Sequence, residues 1–181
     1  MLQPNYTFRA YRDLTPDFLV ERGITVLLSD IDNTLAPYEQ PIPDEALKSW
    51  LDAMKAAGIT VAFLSNNHAP RVELFNGELG LPLRYDAHKP LPRSAKALLR
   101  RLGAHKKQAA LIGDQVFTDV LCAKLTGITS ILVPPIKDRT DKGTRFKRYL
   151  EKGILRRYYK KHKDSPDIRL GTTIVWRGEE E

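Results

Sequence analysis

The chain predicts an α/β fold, a doubly wound, Rossmann-like sheet of five parallel strands with helices on both faces. Three observations carry that expectation. Short apolar runs rich in Val, Ile and Leu alternate with stretches of helical periodicity, which is the pattern of strand–helix–strand units with right-handed crossovers. The runs are apolar at nearly every position rather than every second one, as strands are when both faces of their sheet are covered. Polar segments follow the strands and Gly or Pro punctuates the joints. Composition agrees, since 181 residues at 42% hydrophobic and 28% charged suit one domain with a full core. No apolar run approaches the ~18 residues needed to cross a bilayer.

Taken in order, Thr15-Pro16-Asp17 reads as an N-cap with proline in the first helical turn, and Gly23 closes this short lead-in helix. The run from Ile24 is the first strand, and it leads into Asp30-Ile31-Asp32-Asn33-Thr34-Leu35. Pro37, Pro41 and Pro43 stiffen the next loop. Residues 44–57 form a helix with Leu47, Leu51 and Met54 on one face and Gly58 past its end. The second strand, 59–64, ends in Ser65-Asn66-Asn67, and a helix over 68–79 follows. A short strand at 81–86 leads to His88-Lys89-Pro90, and a helix over 94–102 stops at Gly103. Strand 108–112 opens into Gly113-Asp114-Gln115-Val116-Phe117-Thr118-Asp119; a helix to about 125, a turn at Gly127 and a last strand at 129–133 complete the core. Cys122, the single cysteine, lies in an apolar helical stretch and reads as a buried core residue.

Asp30 and Asp32 stand at i and i+2 at the mouth of the first strand, so their side chains converge where open α/β sheets place their ligands. Two carboxylates that close call for a cation, and oxygen ligands few in number suit Mg²⁺. Alone, the hexapeptide is also compatible with a solvated Asp/Asn turn or the looser DxD of a glycosyltransferase.

The hexapeptide resembles motif I, DxDx[TV], of the haloacid dehalogenase (HAD) superfamily. Ser65 with Asn66 resembles motif II, Lys89 motif III, and Asp114 with Asp119 motif IV, GDxxxxD. Each alone has an ordinary explanation as a turn, a surface pair or a helix cap. Together they stand in the family's order, each after a strand, over about residues 24–133. The resemblance implies a phosphatase in which Asp30 is the nucleophile and forms an aspartyl phosphate, while Asp32 is the general acid and base. It implies Mg²⁺ held by Asp30, the carbonyl of Asp32, Asp114 and Asp119, the last directly or through water. Thr34, Ser65, Asn66 and Lys89 would bind the phosphoryl group. An acid at position 32 implies phosphate ester hydrolysis rather than carbon–halogen chemistry. Only 33 residues separate Asp32 from Ser65 and 24 separate Ser65 from Lys89, so no cap domain fits and the site is expected to be open.

Charge divides the chain. Of 29 Lys and Arg and 22 Asp and Glu, twelve basic and three acidic residues fall within 137–163, which leaves the rest at a net −2. The expected organisation is therefore a phosphatase core over 1–136 and a basic extension over 137–181. Phe146, Leu150, Ile154 and Tyr158 recur every four residues, so 142–161 reads as a basic amphipathic helix interrupted at Gly153, and 172–176 as an added edge strand. Such a helix suits an anionic membrane surface, RNA phosphates, or its own domain. The spelling DIDNTL, SNN, KP and GDQxxTD with a basic end resembles the YqeG family of type IIIA proteins, related to mitochondrial phosphatidylglycerophosphate phosphatase. That resemblance implies a lipid phosphomonoester as substrate; a sugar or nucleotide phosphate, and an RNA- or ribosome-binding role with a residual phosphatase core, stand as alternatives. The leading residues carry no secretory or lipidation signal, so a cytoplasmic protein, peripheral at the membrane through 142–161, is expected. Nothing in the sequence sets the oligomeric state.

Overall fold

The computed structural model of the chain describes residues 2–137 and 151–160. Its centre is a parallel sheet of six strands: β1 (Tyr6–Thr7), β2 (Val26–Ser29), β3 (Thr60–Leu64), β4 (Leu83–Arg84), β5 (Ala109–Gly113) and β6 (Thr129–Leu132), in the order β1-β6-β5-β2-β3-β4. Five of these match the sequence reading, with the strand expected over 81–86 reduced to Leu83–Arg84. The sixth, β1, corrects the expected five. Two residues are too few to show a period, and what holds them is the neighbouring Asn5: its N–H donates to Ser130 O at 2.9 Å, and its Oδ1 accepts from Ser130 N at 3.1 Å and Lys124 Nζ at 2.7 Å. The chain winds from β2 to β3 and β4 on one side and resumes at β5 and β6 on the other. Direction therefore reverses between β2 and β5, and their carboxyl ends bound the crevice where such sheets bind ligands.

The helices are α1 (Pro16–Val20), α2 (Glu45–Ala56), α3 (Ala69–Asn76), α4 (Arg93–Arg101), α5 (Leu121–Thr126) and, over 151–160, α6. Caps follow the sequence reading: Thr15 Oγ1 accepts from Phe18 N at 3.3 Å and Asp44 Oδ1 from Leu47 N at 2.7 Å. Successive strand residues alternate between two apolar layers. Leu27, Phe63 and Ile112 pack with Leu47, Met54, Phe75 and Leu19, whereas Leu28, Ala62, Leu64 and Leu111 pack with Leu98, Leu99, Cys122 and Ala123. Truncating Phe63, which is fully buried in the first layer, would cost about 3–5 kcal/mol.

One turn departs from expectation. The segment read as a connection from Gly113 to Asp119, ahead of the helix, already contains a π-helical turn, Val116–Val120, in which Asp119 N and Val120 N both donate to Gln115 O. In the basic extension, 151–160 is one uninterrupted helix through Gly153, which corrects the expected break: that glycine is exposed and nothing presses on it. Phe146, Leu150 and 172–176 lie outside the described residues. Among the described residues no helix is long and apolar enough to cross a membrane.

Candidate active site

Asp30 follows β2 directly, with its N–H donating to Ile112 O on β5 at 3.0 Å, so its backbone is held by the sheet. The chain then turns sharply. Asn33 adopts φ 63°, a left-handed conformation that Asn tolerates better than most residues, and Asn33 N donates to Ala36 O at 2.8 Å while Ile31 O accepts from Thr34, Leu35 and Ala36. This hairpin brings Asp32 back over the sheet edge. Asp114 follows β5, and Asp119 returns to the same point because position 113 is glycine: a Cβ there would overlap the Asp119 carboxyl carbon.

Lys89 sits between two carboxylates. Its ammonium lies 2.7 Å from Asp119 Oδ1 and 2.9 Å from Asp30 Oδ1, with only 2% of its side chain exposed. Asn66 fixes the Lys89 backbone from both directions, accepting from Lys89 N at 2.6 Å and donating to Lys89 O at 3.0 Å. Asp119 Oδ2 accepts from Gln115 N and Thr118 Oγ1, each at 3.2 Å. Asp32 stands apart: Arg71 donates to its Oδ1 from Nη2 at 3.0 Å and Nε at 3.3 Å, and Asn67 Nδ2 to its Oδ2 at 3.0 Å. Asp30 and Asp32 both line a pocket of about 260 Å³ with Asn33, Tyr38, Ser65, Asn66, Asn67 and Gln115.

Burial pushes the Asp30 carboxyl up to about 6, against the pull of Lys89 and with the repulsion of Asp119. For Lys89 burial acts downward, but the carboxylates of Asp119 and Asp30 together outweigh it and the net shift is upward. Among the described residues the site therefore sets one ammonium against three buried acids. Carboxylate oxygens of Asp30, Asp114 and Asp119 lie within 4.8 Å of one another, and the negative charge left over by Lys89 matches a divalent cation bound through oxygen. The residues present thus fit Mg²⁺.

Comparison with known proteins settles the family. Over 142 residues the chain is 38% identical to "Probable phosphatase YqeG" of Bacillus subtilis (strain 168), spanning 78% of this chain and 83% of that protein. The chain belongs to the HAD superfamily. Within it the chain is a YqeG-like, HAD-type phosphatase. The model of HAD-hydrolase-like proteins matches residues 87–147. Phosphatidylglycerophosphate phosphatase 1, chloroplastic/mitochondrial, of Arabidopsis thaliana is 25% identical over 184 residues, covering 95% of this chain but only 52% of that protein. An uncharacterized protein of Listeria monocytogenes serotype 4b shares the fold, with a TM-score of 0.52 at 19% identity over 65% of this chain and 85% of that one.

Against this HAD frame the structure brings Asp30, Lys89, Asp114 and Asp119 into one cluster, with Asp32 and Ser65 in the adjoining pocket. Ser65 Oγ accepts from Asn67 N at 3.0 Å, and the Asn66 amide is spent on Lys89. Thr34 is not among the residues lining that pocket: it borders a second cleft, of about 820 Å³, with Arg9, Tyr11, Arg12 and Lys137, and its buried hydroxyl has no hydrogen-bond partner among the described residues. Arg71 and Asn67 were not singled out as site residues by the motifs. Asn67 carries a usable signal as the third residue of Ser65-Asn66-Asn67, whereas Arg71 reaches Asp32 across 39 residues of sequence through the placement of α3 alone.

Proposed function

We propose that the chain is a Mg²⁺-dependent phosphomonoesterase that works through an aspartyl phosphate on Asp30. The observation that carries this reading is the buried Asp30 carboxylate, 2.9 Å from the Lys89 ammonium at the point where the strand order reverses. Asp30 forms a bond to phosphorus in line as the bond to the leaving oxygen breaks. Asp32, oriented by Arg71 and Asn67, gives that oxygen its proton. The same carboxylate then takes a proton from the water that attacks phosphorus, which frees inorganic phosphate and restores Asp30. Lys89 offsets charge collecting on the equatorial oxygens and is kept protonated by Asp119. Mg²⁺, held by Asp30 and Asp114 with Asp119 directly or through water, would supply further positive charge to the phosphoryl oxygens.

A lipid phosphomonoester such as phosphatidylglycerophosphate is the proposed substrate. The polar pocket is open, and beside the Asn33 turn the second cleft brings Arg9, Arg12 with its ion-pair partner Asp44, and Lys137 around apolar Leu35, Pro37 and Ile136, a mixed lining that suits an amphiphile. On α6, Leu155 and Tyr158 are buried against the core, so the face that remains outward is Arg156, Arg157 and Lys160. That face supports peripheral contact with an anionic surface by charge rather than by insertion. The named substrate of the Arabidopsis relative supports the same choice. Turnover with Mg²⁺ of phosphatidylglycerophosphate, sugar phosphates and nucleoside monophosphates tests it. The lipid should show the highest kcat/KM, and a sugar phosphate or nucleotide in that place would replace it.

A further inference from the structure

Glu151 begins the described part of α6. It lies in the most basic part of the chain, yet it is buried. Its Oε1 accepts from the backbone N–H groups of Val116 at 2.8 Å and Phe117 at 3.3 Å. These are the first N–H groups of the π-helical turn Val116–Val120, whose own N-cap residue, Gln115, makes no capping bond with its side chain. Helix starts leave such donors without intrahelical acceptors, and a carboxylate satisfies them by both hydrogen bonding and charge. The cap here comes from a helix 34 and 35 residues away in sequence.

That turn carries Asp119, which returns its Oδ1 to Lys89 and its Oδ2 to Gln115 N. Two residues beyond Phe117 there is thus a side chain on which both the lysine and the cation cluster depend. Docking of α6 is anchored further along as well. Leu155 packs with Val116, Val120 and Leu132, and Tyr158 is buried with its hydroxyl 3.3 Å from Asn5 O as donor.

We propose that Glu151 is a positioning residue: it caps, from the C-terminal helix, the turn that holds Asp119 against Lys89, and so makes the cation affinity of the acidic cluster depend on the docking of α6. It touches no reacting atom. The proposal rests on the Mg²⁺ reading of Asp30, Asp114 and Asp119.

The test is magnesium binding by the full chain, followed by calorimetric titration with MgCl₂ well below the melting temperature, in wild type and in Glu151→Ala, Glu151→Gln and Glu151→Asp. Outer-shell partners of metal ligands typically contribute about 10- to 100-fold, so the Ala variant should bind about 10-fold more weakly, and turnover of an aryl phosphate at limiting Mg²⁺ should fall with it. The Gln variant keeps an acceptor of the same reach and should stay within about twofold of wild type. Asp withdraws the acceptor by one bond, ~1.5 Å, and should bind more weakly than Gln. Should the Ala variant fail to fold, that order decides the matter, because a role based on charge alone would favour Asp over Gln. Equal affinities among the folded variants, or Asp tighter than Gln, overturn the proposal. Wild type that binds no Mg²⁺ overturns the metal reading and this proposal with it, whereas wild-type binding with indifferent variants overturns this proposal alone.

Discussion

Replacing Lys89 with Met preserves most of the side-chain volume and removes the cation that, among the described residues, lies between Asp30 and Asp119. Three buried carboxylates, Asp30, Asp114 and Asp119, would then face one another without it. Removing one partner of a buried ion pair costs about 3–5 kcal/mol, and in a domain of this size each kcal/mol is worth ~2–4 °C, so the melting temperature should fall by roughly 6–20 °C in EDTA. If Mg²⁺ is held as proposed, it binds the folded site in preference to the unfolded chain, so saturating Mg²⁺ should recover part of that loss. It should not recover catalysis. Loss of a preorganised charge aimed at the transition state costs ~10²- to 10³-fold, and aryl phosphates with better leaving groups should not restore the rate, because the missing charge acts on the phosphoryl group. Circular dichroism melts with and without Mg²⁺, paired with turnover of p-nitrophenyl phosphate, read both quantities. A Lys89→Met protein that melts with wild type and turns over at the wild-type rate would refute the central place given to this lysine.

Asp32→Asn should slow turnover by ~10²- to 10⁴-fold, and Arg71→Met, which releases the Asp32 carboxylate without removing it, should cost less; an unchanged rate and pH profile for Asp32→Asn would count against the acid–base assignment. Gly113→Ala forces a methyl group into the Asp119 carboxyl, so it should destabilise by about 1–3 kcal/mol and lower turnover through Lys89, and a normal melt with normal activity would show that Asp119 has room to move. Burial pushes the Cys122 thiol up to about 11, and its side chain is fully covered, so iodoacetamide at pH 8 should label the native protein only after denaturant is added; prompt native labelling would contradict that burial.

Chemistry-bearing residues were the most legible part of the chain. Asp30, Lys89, Asp114 and Asp119 could be picked out because the motifs that carry them stand in the order of the HAD resemblance, each after a strand, and strand ends of a doubly wound sheet meet at one edge whatever the details of packing. The two-sided burial of β2, β3 and β5 was readable for a related reason, since their residues are apolar on both faces. What escaped depends on tertiary placement. β1 is two residues long and held through Asn5; the Asp32–Arg71 pair depends on where α3 sits; and no motif shows that the Asn66 side chain brackets the Lys89 backbone. Glu151 illustrates the limit most clearly. In sequence it is a lone acid among lysines and arginines, and only the docking of α6 turns it onto the Val116–Val120 turn. The apolar residues of that helix likewise read equally well as facing lipid or core until Leu155 and Tyr158 are seen to be buried.

Covalent chemistry at Asp30 is the centre of the proposed mechanism. Mixing the enzyme and Mg²⁺ with an aryl phosphate, quenching in acid within the first turnover and mapping the digest by mass spectrometry measures it directly. One phosphate should be added to the peptide that carries Asp30, decaying at the rate at which inorganic phosphate appears and absent from Asp30→Asn. Undiminished turnover by Asp30→Asn, or a phosphate trapped on another residue, would contradict it.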